Sequence, residues 1–195
     1  PHTKALSRIQ LMMQKAIVAT TSIFEVMEEE PEIKDKPDAV RLKQTKGHVT
    51  FHNVTFAYAT EKGGQKAAVH DIDLDLQPGR FYALVGPTGA GKSTIFTLLQ
   101  RFYDVDQGRI EIDGIDIRDV TQESLRNQIG VVNQDAFLFH DTIRENIRYG
   151  RLNATEEEIL DAARRAHVDD FVKQKEDGYD TIVGDSGSNL SGGQR

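Results

Sequence analysis

The first thirty residues carry a helical stripe. Leu6, Ile9, Met13, Ala16, Thr20, Ile23 and Met27 fall at alternating steps of three and four, which gathers them on one helical face. Ile17, Phe24 and Val26 broaden that face. Glu28–Glu30 then lead into Pro31, and the residue before a proline resists helical geometry, so the helix is predicted to end there. Residues 31–46 combine two prolines with many charges and little apolar content, and read as a linker. From Gly47 the period changes to two. Val49, Phe51, Val54, Phe56 and Tyr58 predict a strand with an irregularity near His52–Asn53. After a loop with Gly63 and Gly64, Ile72, Leu74 and Leu76 alternate with Asp71, Asp73 and Asp75, as in a half-exposed antiparallel strand. Pro78–Gly79 marks a turn. Phe81–Val85 is continuously apolar, as expected of a strand covered on both faces. Beyond a glycine-rich loop, Ser93–Phe102 shows helical spacing in Ile95, Leu98 and Leu99. Arg109–Ile112 and Ile129–Val132 read as short strands, with a short helix around Gln122–Gln128 between them. Thr142–Lys175 reads as mainly helical, with Thr155 capping a helix whose first turn holds Glu156, Glu157 and Glu158. From Gly178 the tail is a glycine- and serine-rich loop, and no internal repeat is visible.

Composition adds bounds to this picture. A length of 195 residues suggests one domain plus an appendage, and 38% hydrophobic with 28% charged residues is ordinary for a soluble globular protein. The net charge of −7 argues against broad nucleic-acid binding, so no nucleic-acid partner is expected. It leaves a phosphate ligand open, because phosphate sites are local and built largely from backbone N–H groups. The absence of cysteine removes disulfides, thiolate metal sites and cysteine nucleophiles, and is compatible with a reducing compartment. No apolar run approaches the ~18 residues that cross a bilayer and no signal peptide is visible, so the chain alone is expected to be soluble.

Candidate chemistry is concentrated in Gly86-Pro87-Thr88-Gly89-Ala90-Gly91-Lys92-Ser93, which matches G-x-x-x-x-G-K-[ST]. An apolar strand pattern ends at Val85 and a helical pattern begins at Lys92, the strand–loop–helix context that a phosphate-binding loop requires. Glycines let the backbone curl around phosphate oxygens so that successive N–H groups converge on the anion. The helix N-terminus adds partial positive charge. Lys92 can reach the β- and γ-phosphates, and the Ser93 hydroxyl can coordinate Mg²⁺. The competing reading is a glycine-rich turn before an ordinary helix.

With Leu190-Ser191-Gly192-Gly193-Gln194 about a hundred residues further on, the chain resembles the nucleotide-binding domain of exporter-type ABC transporters, whose signature motif is this pentapeptide. The resemblance covers the chain from about Leu6 to Arg195. It implies an α/β fold: a P-loop NTPase (RecA-like) core with an antiparallel β subdomain and a helical subdomain, preceded by a long helix. Residues 1–30 would extend the last membrane helix and 31–46 would link it to an ATPase domain at 47–195. Within that domain, 47–133 would form the P-loop core and β subdomain, and 134–195 the Q-loop, helical subdomain and signature. The implied ligands are ATP and Mg²⁺. The nucleotide set comprises Tyr58, Gly86, Thr88, Gly89, Ala90, Gly91, Lys92, Ser93 and Thr94, with Ser191, Gly192, Gly193 and Gln194. Ser93 and Gln134 would hold the metal, and Lys92 and Gln134 would act in catalysis. Tyr58 sits where the family places an aromatic ring that stacks on adenine; the plain alternative is a strand tyrosine packed on the core. Gln134 matches the Q-loop glutamine, against the alternative of a solvated loop residue.

Gln134-Asp135, Leu138-Phe139 and Thr142–Ile147 look like the segment that docks on the membrane domain. Thr181–Gly187 resembles the exporter loop before the signature, except that Asp185 stands where the family usually has glutamate, a shorter reach. Ser191–Gly193 would offer a hydroxyl and N–H groups at a helix N-terminus, closing over ATP bound by a second ABC ATPase domain of a homo- or heterodimer. A serine-capped helix start without ligand is the plain reading of those residues alone. The remaining partner implied is the transmembrane domain of the same transporter, with the ATPase domain on the cytoplasmic face of the cell membrane.

The family's catalytic glutamate and switch histidine have no match here: none of His2, His48, His52, His70, His140 and His167 suits the switch. The chain is therefore expected to be part of a longer protein, to bind ATP weakly and hydrolyse it little, and to leave an exposed edge at Phe81–Val85 prone to aggregation. Two other readings stand beside the exporter: a soluble ABC ATPase of chromosome or repair machinery, and a half-site that holds ATP without turnover.

Overall fold

A computed structural model describes residues 2–60, 63–133, 137–184, 187 and 189–194, with the backbone alone for 2–9 and 11. It divides into two compact units, 1–130 and 131–195. The first unit opens with α1 (His2–Glu28), as its spacing predicts. Its described side chains, including Met13, Ile17, Ile23, Phe24 and Met27, are all exposed, so the apolar stripe lies uncovered; the side chains of Leu6 and Ile9 lie outside the described residues. No described helix is long and apolar enough to cross a membrane.

A four-stranded antiparallel sheet of order β2-β1-β3-β4 carries the first unit, from β1 (Val49–Ala59), β2 (Gln65–Leu76), β3 (Gln107–Ile112) and β4 (Ile115–Asp116). The expected irregularity in β1 is present. Phe51 and Val54 are three positions apart, so strict alternation would send them to opposite faces. Both are buried because the register shifts between them against β2, with Asn53 at a positive φ of 47. Asn53 tolerates that conformation, and its amide and side chain bond to Asp73 and Asp71 at 3.0–3.2 Å. The helix α2 (Lys92–Leu99) and the short α3 (Gln122–Arg126) lay Ile95, Leu98 and Leu125 on one core with Phe51, Phe56 and Ile110.

Two expected strands do not form. Phe81–Val85 and Ile129–Val132 are irregular, with Phe81 106% and Val132 100% exposed. Their apolar runs suit a doubly covered parallel strand, but such a strand gets its hydrogen bonds from neighbours, and no described strand pairs with either segment. Only Leu84 and Ile129 rest on the core. Residues 31–46, expected as a linker, contain no helix or strand, yet they lie on the fold: Leu42 is buried, and Val40 bridges Val120.

The second unit is helical, as read: α4 (Ile143–Arg148), α5 (Glu156–Arg165) and α6 (Asp169–Val172). Thr155 caps α5 through a capping box with Glu158, and Glu156–Glu158 fill the first turn. Ile143, Val172, Val183 and Leu190 form its core.

Candidate functional site

The loop Gly86–Ser93 leads into α2, and glycine is required where it closes. Gly91 is the N-cap of α2 in the left-handed region (φ 82). A Cβ there would lie 2.5 Å from the Ala68 carbonyl oxygen and 2.7 Å from Val69 Cγ1, so only glycine lets the helix start so close to β2. The Ala90 amide closes a turn on the Pro87 carbonyl at 3.2 Å. Lys92 Nζ donates to the carbonyls of Gly86 (2.8 Å) and Pro87 (2.7 Å), which draws the ammonium inside the curl. The helical ladder begins with the Ile95 amide donating to Gly91 at 3.1 Å, and the amides ahead of it belong to the first turn, where an anion is favoured.

Thr94 is buried and accepts a hydrogen bond from the Tyr58 hydroxyl at 3.4 Å. Tyr58 is half-buried, with its ring edge-on to Phe56 (4.9 Å, 83°) and Tyr103 (5.3 Å, 89°). One hydroxyl bond therefore holds an aromatic ring beside the first turn of α2. Ser93, one residue before Thr94, is exposed. Among the described residues no cluster of three or more histidine, aspartate or glutamate side chains could hold a metal ion. Mg²⁺ fits the donors nonetheless, since it commonly takes one or two protein oxygens and fills its shell with phosphate oxygens and water. Ser93 supplies such an oxygen at the start of α2.

In the second unit Ser191–Gln194 forms a turn. The Gln194 amide donates to the Ser191 carbonyl and the Ser191 amide to Gln194 Oε1, both at 3.0 Å. The reach of the glutamine side chain back to the Ser191 amide is one of the two bonds of a capping box, the pattern of a helix start. Ser191, Gly192 and Gly193 are exposed, and a Cβ on either glycine would meet nothing within 4 Å. Buried Leu190 anchors this turn.

Upstream, the Val183 amide donates to Asp141 (2.8 Å) and the Ile143 amide to Thr181 (3.0 Å), stapling 181–183 to the start of α4. Asn146 folds the preceding loop: it accepts from the Phe139 amide (2.8 Å) and donates to the carbonyls of Phe139 (3.1 Å) and Thr142 (2.9 Å). Arg144 pairs with Glu156 and with Asp180 (3.1 Å). Tyr179 donates its hydroxyl to Asp169; burial first, then that bond, pushes the phenol up to about 12 and keeps it a donor. Gln134, Asp135 and Asp185 lie outside the described residues.

Thus Tyr58, Gly91, Lys92, Ser93 and Thr94 come together in the first unit. Two residues given no role of their own in the sequence also prove central: Asn146, inside the Thr142–Ile147 segment, and Arg101, which is 2% exposed at the end of α2. For Arg101 the only signal was a charged residue inside the Ser93–Phe102 helical pattern.

Comparison with known proteins follows the same lines. The model of the ABC transporter family matches residues 69–195. The uncharacterized ABC transporter ATP-binding protein YwjA of Bacillus subtilis is 47% identical over 184 residues, covering 94% of this chain and 31% of that protein. The ATP-dependent lipid A-core flippase of Desulfotalea psychrophila is 45% identical over 192 residues, covering 98% of this chain and 33% of its own length. A solved bacterial Atm1-family ABC exporter with ATP bound superposes with a TM-score of 0.85 at 42% identity, over 97% of this chain and 33% of that one. The chain spans about a third of the length of these relatives.

Proposed function

The chain belongs to the ABC transporter family, with the P-loop NTPase fold of an exporter's nucleotide-binding domain, and from that premise we propose that it binds and hydrolyses ATP to drive a membrane exporter. One observation carries the reading. Lys92 is folded into the Gly86–Ser93 curl at the start of α2, where a charged donor and first-turn amides converge. In this reading the loop amides and Lys92 cradle the β- and γ-phosphates. Tyr58 offers its ring to adenine, supported by its tether to Thr94. Ser93 would hold Mg²⁺, which when bound supplies charge neutralisation at the phosphates. Lys92 stabilises charge as water attacks the γ-phosphate in line.

Ser191–Gln194 is assigned to a second ABC ATPase domain, over whose γ-phosphate it would close head to tail. The openness around Gly192 and Gly193 supports close approach of backbone to a ligand. The membrane domain is the other partner, on the cytoplasmic face; exposed Phe137, Phe139 and Tyr149, with successive ring centroids 4.4–5.1 Å apart, supply an apolar patch for docking. The reading gives no general base to this chain, so alone it should bind ATP yet turn it over slowly, a base being worth about 10²–10⁴-fold.

The test is ATP titration of the protein against Lys92→Ala. Charge-assisted hydrogen bonds contribute about 1.5–3 kcal/mol each, so affinity should fall at least about tenfold. Equal affinity would remove the site.

A further inference from the structure

At the far end of α2 the backbone takes a turn that glycine normally makes. The Phe102 amide donates to Thr97 (3.1 Å) and the Arg101 amide to Leu98 (2.9 Å), the paired bonds of a Schellman cap. Arg101 holds the left-handed position with φ 52, where a side chain is strained and glycine is usual. Its side chain is also buried, at 2% exposure. A residue that breaks both the backbone rule and the burial rule at one position must be held by what its side chain does.

That side chain reaches back to the segment following α1. Arg101 Nη2 donates to the Lys34 carbonyl at 3.2 Å, Nη1 donates to the Val120 carbonyl (3.2 Å) and lies 3.8 Å from Asp35, and Nε donates to Asp104 (2.9 Å). The grip does not stand alone. Gln122 bonds the Ile33 carbonyl (3.2 Å) and Asp35 (3.0 Å), Val40 pairs with Asp119 and Thr121 at 2.9 Å, and the Leu42 amide donates to Ser124 at 2.9 Å. From the other side Arg126 donates to the Gln100 and Arg101 carbonyls at 3.2 and 3.0 Å, fixing the same helix end.

We propose that Arg101 is a positioning residue that latches the 33–42 strap to the C-terminal end of the phosphate-loop helix, so that ATP at one end of α2 and closure of the strap at the other favour each other. The proposal rests on the ATP reading. A rigid eight-residue helix with phosphate at its first turn and Arg101 after its last transmits any shift from one end to the other. Such coupling is reciprocal: the factor by which ATP favours the closed strap equals the factor by which the strap favours ATP.

Backbone hydrogen exchange of the protein, with and without ATP and Mg²⁺, tests this at the Val40, Leu42 and Gln122 amides, which bond across the strap. In the unaltered protein ATP should slow these amides about fivefold or more. Arg101→Gly suits the backbone better than arginine does, so if the residue only ends the helix, the strap and its response to ATP should survive. On the latch reading both the exchange response and ATP affinity fall, by matching factors. Gln122→Ala, which leaves Arg101 and the backbone of α2 unaltered, should do the same more weakly and serves if Arg101→Gly does not fold. ATP binding without any change at the three amides, or an undiminished response in Arg101→Gly, overturns the latch. A flat ATP titration of the unaltered protein instead overturns the ATP reading, and the latch with it.

Discussion

Replacing Gly91 by alanine tests how closely the phosphate loop is seated on the sheet. Two costs add at this position. With φ at 82, an alanine takes up a left-handed backbone, roughly 1–2 kcal/mol. Its Cβ would also stand 2.5 Å from the Ala68 carbonyl oxygen and 2.7 Å from Val69 Cγ1, where a carbon and an oxygen ordinarily stay about 3.3 Å apart. Neither neighbour can yield by a simple rotamer change. The carbonyl belongs to β2, paired along its length with β1, and Val69 is buried and β-branched. The loop must lift from the sheet, an overpacking cost of about 1–3 kcal/mol, giving about 2–5 kcal/mol in all. Gly89→Ala is the internal control: φ is 86, yet a Cβ there meets nothing within 4 Å, so only the backbone cost applies. Urea unfolding followed by circular dichroism should show Gly91→Ala losing about 1–3 kcal/mol more than Gly89→Ala. ATP affinity, measured well below the transition, should fall further in Gly91→Ala as the first turn of α2 moves. Equal shifts for the two variants would refute the argument from the close approach of loop and strand.

Two further outcomes follow from local geometry. Thr155→Ala removes the capping box of α5, worth about 1 kcal/mol, so the amides of its first turn should exchange about fivefold faster; unchanged exchange would show that packing of Ile159 alone holds the helix. Asp116 is half-buried, which raises its pKa, but the Arg118 side chain at 2.6 Å and the Arg118 amide at 2.9 Å outweigh that and hold the carboxyl below its ordinary value. Its folded pKa is therefore depressed, so its contribution is present above about pH 3.9 and is lost as the pH falls through the folded value. The stability difference between the unaltered protein and Asp116→Asn should shrink on acidification below about pH 4; a difference that grows would reverse the sign.

Local chemistry was the legible part of this sequence. The three-residue step from Phe51 to Val54 announces the bulge, and Thr155 with Glu158 announces the capped helix, because each is settled by residues within a few positions. Gly91, Lys92 and Ser93 are legible for the same reason: the motif states the chemistry of one continuous loop. Non-local pairing is where the reading fails. Phe81–Val85 says that it favours burial but cannot say which strand will cover it, and in this structure none of the described strands does. Arg101 was hidden differently. A lone arginine after a helix reads as solvated, and nothing near it in sequence reveals Lys34, Asp35 or Val120 as its neighbours in space.

Lys92 already holds two carbonyl oxygens, and that fixes the terms of exchange for any arriving anion. What the loop gains on binding is the difference between phosphate and the pair of dipoles that the ammonium gives up, not the whole attraction of a free cation. A monoanion brings too little charge to outbid two good acceptors, whereas a polyphosphate brings several. On the proposed ATP reading the folded-in lysine would act as a threshold, making the loop discriminate by valence between small anions and a chain of phosphates.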